Sequence, residues 1–217
     1  MKTVKTLLAA AVVASTVATP AVAEIEVAAS AAVANMYLWR GQDLSNGSPA
    51  VSGDITASLG GAYAGVWASS GDDAMGQEYD VYAGYGLELA GFTVDASVWT
   101  YVYPGDEELG EAGNLSEAVL SVGYGPFSVS YLDNIAGGSG YSYITVGAEM
   151  GKFSATVGMT DSDDVEDVST DYVHLDISYA YNDNLSFTVS QVIDEDTDGS
   201  VEDDLHFVLS YSLPIGE

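Results

Sequence analysis

Residues Glu78–Tyr103 read EYDVYAGYGLELAGFTVDASVWTYVY, and apolar side chains recur there at every second position. Tyr79, Val81, Ala83, Tyr85, Leu87 and Leu89 alternate with Glu78, Asp80, Tyr82, Gly84, Gly86 and Glu88. Beyond Ala90-Gly91, Phe92, Val94, Ala96, Val98 and Val102 alternate with Thr93, Asp95, Ser97, Trp99 and Tyr101. Successive side chains of a strand point to opposite faces, so this period of two predicts two strands, each with an apolar and a polar face. The two-residue Ala-Gly link predicts a tight hairpin between them.

The same alternation extends in both directions. It sets Val51, Ile55 and Leu59 against Ser52, Asp54, Thr56 and Ser58, and Ala118, Leu120, Val122 and Tyr124 against Glu117, Ser121 and Gly123. Further on, Ile144, Val146, Ala148 and Met150 oppose Tyr143, Thr145 and Glu149, while Val173, Leu175, Ile177 and Tyr179 oppose His174, Asp176 and Ser178. Leu185, Phe187 and Val189 oppose Ser186, Thr188 and Ser190, and Leu205, Phe207, Leu209 and Tyr211 oppose Asp204, His206, Ser210 and Ser212. Less regular segments at Val27–Arg40, Ala62–Ser69, Phe127–Asp133 and Phe153–Thr160 bring the expected number of strands to about twelve.

Link lengths alternate. Gly60-Gly61, Ala90-Gly91, Gly125-Pro126, Gly151-Lys152 and Asn182–Asn184 are short; Gly41–Ser48, Ser69–Gln77, Pro104–Asn114, Asn134–Gly140, Asp161–Thr170 and Asp194–Ser200 are long. A short-turn end, a long-loop end and an even strand number describe an up-and-down antiparallel transmembrane β-barrel of the outer-membrane type. The long links carry 16 acidic residues and the short ones only Asp183, so charge gathers at one rim. Aromatic residues gather near both ends of the strands: Tyr37, Trp39, Tyr79, Trp99, Tyr101, Tyr103, Tyr131, Tyr141, Tyr143 and Tyr172 by the long loops, and Tyr63, Tyr124, Phe153, Tyr179, Tyr181 and Tyr211 by the short turns. Two interfacial girdles facing lipid are the expectation.

Lys2 and Lys5 precede a small-residue apolar run, Leu7–Ala18, and then Ala21-Val22-Ala23. This pattern predicts a Sec signal peptide over residues 1–23, followed by one barrel domain over 24–217 in the bacterial outer membrane. The chain has 217 residues, no cysteine, and 4 basic against 33 acidic residues, a formal charge of −29. Such a surface excludes nucleic acid as a partner, and the missing cysteines exclude disulfides and thiolate chemistry.

The stretches NMYLWRGQDLSNGSPAVSGDI from Asn35, AYAGVWASS from Ala62, DVYAGYGLELAGFTVD from Asp80 and YVYPG from Tyr101 resemble the TorF family of porins. The sharpest piece is Tyr37–Gly41 with Arg40, followed by Pro49-Ala50 leading into the second strand. The resemblance implies a porin-like outer-membrane channel for passive diffusion of small solutes. Lipid and the barrel-assembly machinery would be its partners. One departure is at the C-terminus, where Tyr211 is followed by SLPIGE instead of ending the last strand on an aromatic residue.

The expected pore-lining residues are Arg40, Asp54, Asp80, Glu88, Asp95, Glu117, Glu149, His174, Asp176 and His206. Arg40, one of two basic residues in 24–217, either sets a constriction with Asp54 or another inward acid or forms an ion pair that pins the first strand. His174, Asp176 and Ser178 share a face, but alternate residues lie ~7 Å apart along a strand, too far for the hydrogen bond that activates a nucleophile. No enzymatic activity and no cofactor are therefore expected. Asp194, Asp196 and Asp198 open like a calcium loop, but the twelfth position is Leu205 instead of the required Glu, which leaves weak divalent-cation binding as their only expected metal chemistry. With acids so far in excess, a conducting barrel should prefer cations. The competing readings are a soluble exported barrel with an apolar interior for an apolar ligand, and a non-conducting structural or adhesive barrel.

Overall fold

A computed structural model describes residues 24–138, 140–163 and 168–215. The strands in chain order are β1 (Glu26–Ala34), β2 (Leu38–Trp39), β3 (Gln42–Asp43), β4 (Ala50–Leu59), β5 (Ala62–Asp72), β6 (Gly76–Leu89) and β7 (Phe92–Val102). There follow β8 (Leu115–Tyr124), β9 (Phe127–Ala136), β10 (Ser142–Met150), β11 (Phe153–Asp161), β12 (Tyr172–Ala180), β13 (Leu185–Glu195) and β14 (His206–Ile215). β2 and β3 pair with each other; the other twelve close into one antiparallel barrel, each beside its neighbour in the chain, with β1 sealed against β14. At that seam Ala29 lies opposite Ile215, Ser30 opposite Pro214 and Ala34 opposite Ser210. The expected all-β, up-and-down barrel of about twelve strands is the observed fold.

The period of two becomes an inside and an outside. Val81, Leu120 and Ile177 remain 41%, 50% and 48% exposed, whereas Glu78, Asp80, Glu117, His174 and Asp176 are buried. An apolar exterior around a polar interior reverses the arrangement a water-borne barrel needs and matches a wall that meets hydrocarbon. The soluble-barrel reading, with carboxylates in water, does not fit this orientation. The short turns follow from sequence: at Ala90-Gly91 both residues have positive φ, +52° and +85°, the type I′ geometry whose twist suits a hairpin.

Three expectations need correction. First, β1 stops at Ala34 and does not run to Arg40. Asn35 ends it by side-chain mimicry: its Nδ2 donates to the Phe207 carbonyl (3.0 Å) and its Oδ1 accepts from the Leu209 amide (2.6 Å). The chain then leaves the wall. Second, Ser69–Gln77 is not a long loop. β5 and β6 continue through a register shift between Ser69 and Asp72, and Asp72 closes the turn by accepting from the amides of Ala74 (2.9 Å) and Met75 (2.7 Å). An aspartate that bonds its own turn amides reads in sequence like one in an extended loop.

Third, the aromatic residues by the long loops do not form a girdle. Only Tyr79 and Tyr131 of that set are exposed, at 37% and 46%. Tyr103, Tyr143 and Tyr172 are buried, Trp99 stacks on the buried Tyr82 at 4.1 Å, and Tyr37, Trp39, Tyr101 and Tyr141 join them in the lumen. At the other end, Tyr63 is buried and donates to Asp95 (2.9 Å), but Tyr124, Phe153, Tyr181 and Tyr211 face outward as expected. Inward carboxylates supply acceptors for phenol groups, so a tyrosine on the polar face of a strand is drawn inside. Position along the strand alone does not separate the two fates.

Candidate functional site

The residues between β1 and β4 fold back into the barrel as a small hairpin. Leu38 pairs with Asp43 and Trp39 with Gln42, leaving Arg40-Gly41 as its two-residue tip, with φ of +49° and +84°. A non-glycine residue in this left-handed region carries a cost of about 1–2 kcal/mol. The base of the hairpin is built by Asp43, whose carboxylate accepts from the Ser45 amide (2.9 Å), the Ser45 hydroxyl (2.7 Å) and the Gly47 amide (2.6 Å). The Asp73 amide in the β5–β6 turn donates to the Leu44 carbonyl (2.8 Å), tying the hairpin to the wall.

Arg40 is thereby delivered into the lumen at its long-loop half. Its Nη1 and Nη2 donate to Oε1 and Oε2 of Glu117 on β8 at 3.0 and 2.6 Å, a bidentate pair whose side chains are only 7% and 5% exposed. Tyr101 donates to Glu117 Oε2 at 2.7 Å. The guanidinium carbon lies 4.2 Å from the Trp39 ring centroid, 4.7 Å from that of Tyr143 and 5.1 Å from that of Tyr141. Tyr172, on β12, donates to the Arg40 carbonyl at 2.9 Å. Burial opposes the charge, but Tyr141 and Glu117 outweigh it and hold Arg40 above the ordinary guanidinium range. Burial also raises Tyr141, with Arg40 acting against the rise. Of the two readings of Arg40, a constriction with Asp54 or another inward acid and an ion pair that pins the first strand, the geometry gives a buried ion pair with Glu117. It pins the hairpin, not a barrel strand.

Carboxylates continue along the wall. Glu78 accepts from Tyr37 (2.8 Å) and Tyr103 (3.0 Å), and burial, reinforced by Glu78, raises both phenol pKa values. Asp80 is 4% exposed and its Oδ1 has no hydrogen-bond partner. Asp54 accepts from Tyr82 (2.6 Å) and Thr56 (2.9 Å), and Asp95 accepts from Tyr63. Glu88 and Glu149 share the faces of Asp80 and Tyr143 but lie near the short turns, where both are exposed.

His174 departs from its expected isolation. Its Nδ1 is 3.1 Å from Asp176 Oδ1 and its Nε2 is 2.6 Å from the Tyr143 hydroxyl. The ~7 Å separation of alternate residues is a backbone spacing, and the two side chains lean together along the strand. Ser178 instead bonds Thr188 at 2.8 Å, so serine, histidine and aspartate form no relay. Gly158 makes room for the pair, since a Cβ there would overlap both His174 Nε2 and the Tyr143 hydroxyl. His206 is buried with Nε2 unpartnered. Asp194 lies near the end of β13, and Asp196 and Asp198 follow on the β13–β14 connection, all three exposed; among the described residues no three acidic or imidazole groups converge on a metal position.

Sequence reasoning missed the cage itself: Trp39, Tyr101, Tyr141 and Tyr143 around Arg40. The usable signal was Trp39-Arg40-Gly41-Gln42, a glycine-containing tip carrying one of two basic residues in residues 24–217.

A family model described as "Bacterial protein of unknown function (Gcw_chp)" matches residues 18–206. No curated protein matches the chain significantly. Among solved structures, the outer membrane phospholipase A from Escherichia coli is similar at a TM-score of 0.46 and 10% identity, with 92% of this chain and 93% of that chain covered. At that score the likeness carries no argument about activity.

Proposed function

The chain belongs to the Gcw_chp family, a bacterial family of unknown function, and we propose that it is an outer-membrane channel for passive, cation-preferring diffusion of small solutes. The observation that carries this reading is the charge of the lumen. Asp54, Glu78, Asp80, Asp95, Glu117 and Asp176 face inward, and Arg40, the one lysine or arginine that faces inward among the described residues, is already held by Glu117. Rings of carboxylates concentrate cations and exclude anions. The resemblance of Tyr37–Gly41 and its neighbours to TorF porins points the same way. Residues 1–23, which lie outside the described part, act in this reading as the export signal, and residues 24–217 as the inserted domain. The reading includes no catalytic step, because Ser178 is engaged by Thr188 and not by His174.

The hairpin makes the channel narrow at its long-loop half, where tyrosine, tryptophan and Arg40 occupy the lumen. That filling is also the observation that favours the second reading, a non-conducting structural barrel. Purified protein in a planar bilayer decides between them. A reversal potential of cation-selective sign across a salt gradient is expected, growing as ionic strength falls because the Debye length lengthens from ~8 Å at physiological salt to ~30 Å at 0.01 M. An anion-selective potential would overturn the reading, and persistent absence of conductance would move it to the structural barrel.

A further inference from the structure

We propose that the cage around Arg40 is a binding site for organic cations with a guanidinium or primary ammonium head, and that Arg40 is its tethered resident. The inference rests on the cation-preferring reading above and names the class of cation. Trp39, Tyr141 and Tyr143 present their rings within 5.1 Å of the guanidinium carbon, and Glu117 meets its two terminal nitrogens. Aromatic faces with a planar, bidentate carboxylate are the chemistry that recognises a guanidinium; a hydrated sodium ion gains nothing from ring faces.

Two further observations separate this site from a simple structural ion pair. Asp80 Oδ1 is buried in the same lumen and unpartnered, an acceptor that Arg40 leaves unused and that a free ligand with a second donor group would fill. Arg40 also reaches the cage from the tip of a hairpin whose two strands pair only with each other, so it can leave the lumen without breaking a barrel strand. An incoming organic cation therefore competes with Arg40 on nearly equal chemical terms, and its binding frees the hairpin from the lumen. The resident arginine lowers the apparent affinity of the wild-type protein in proportion to the fraction of time it fills the cage.

The test uses the full barrel in detergent and methylguanidinium as the probe, followed by tryptophan fluorescence. Arg40→Ala vacates the cage, and its fluorescence should respond saturably, with at least tenfold higher apparent affinity than wild type. Adding Glu117→Gln to Arg40→Ala should abolish that response, and sodium at equal ionic strength should produce none. If Arg40→Ala does not assemble, wild-type protein carries the test: methylguanidinium must alter its emission where sodium does not. Absence of a saturable response, or one unaffected by Glu117→Gln, would overturn the site. Neither outcome depends on conductance, so loss of this inference and loss of the channel reading are distinguishable.

Discussion

Replacing Glu117 by Gln removes one charge from a pair whose side chains are 7% and 5% exposed. Breaking a buried ion pair from one side costs about 3–5 kcal/mol, because the remaining charge is stranded away from water. Gln keeps the shape and one acceptor, so the lower figure, about 3 kcal/mol, is appropriate. The barrel can shed this cost without unfolding, because Arg40 sits on a hairpin that pairs only with itself. The expected response is therefore undocking, favoured by roughly 10²-fold at 1.4 kcal/mol per decade. Trypsin reads it directly. Residues 24–217 contain only Arg40 and Lys152 as cleavage sites, and Lys152 lies in a two-residue turn between paired strands, which leaves the Arg40–Gly41 bond to report hairpin release. Glu117→Gln should be cut there roughly 10²-fold faster than wild type, with the remaining barrel intact by its heat-modifiable gel migration. Cleavage at the wild-type rate in a folded variant would refute the idea that Glu117 holds the hairpin.

Gly41→Ala should release the same hairpin by another route: its φ is +84° and a Cβ would lie 2.6 and 2.7 Å from Cβ and Cγ of His174. Faster trypsin cleavage after Arg40 is again the readout, and an unchanged rate would mean the tip is not seated against His174. Leu120→Lys or Ile177→Lys, on the exposed outer face, should hinder insertion by ~2–4 kcal/mol at mid-bilayer, measured as the fraction of folded protein recovered in vesicles; equal recovery for both would contradict the assigned exterior. The raised pKa values of Tyr37 and Tyr103 mean that the folded state keeps its phenol protons where the unfolded chain loses them. Stability from these groups is complete below the unfolded value of about 10 and declines as pH rises above it toward the folded values. Thermal midpoints should therefore fall above about pH 10, and the fall should be shallower in Tyr37→Phe.

The wall was legible because it obeys one local rule. Val81 and Asp80 differ in polarity as their faces differ in environment, and the two-residue turns identified themselves by glycine. The contents of the lumen obey no such rule. Alternation puts Tyr143 on a polar face and Tyr131 in line with Phe127 and Val129, but only the cross-strand arrangement shows that Tyr143 meets a histidine and a guanidinium. Arg40 stood out as a rare cation that needed a partner, but its partner lies 77 residues away, a separation no local pattern encodes. The closeness of His174 and Asp176 is not visible in sequence because side chains that share a face can lean together across the ~7 Å between their backbones.

The seam between β1 and β14 bears on how the barrel is made and unmade. β14 is registered through six residues to β1 and six to β13, whereas β6 and β7 share eleven, and Pro214 opposite Ser30 has no amide hydrogen to give the seam. The first strand to be synthesised must therefore wait with one unpaired edge until the last has been made. Closure is the step of greatest sequence separation and carries the largest loop-ordering cost. In the finished barrel the short pairing on both sides of β14 makes opening cheapest there, so amide exchange should be fastest along His206–Ile215 and in the facing residues Ala29–Ala34. The molecule is accordingly a ring with a clasp, and its lifetime in the membrane is set by the clasp and not by the band.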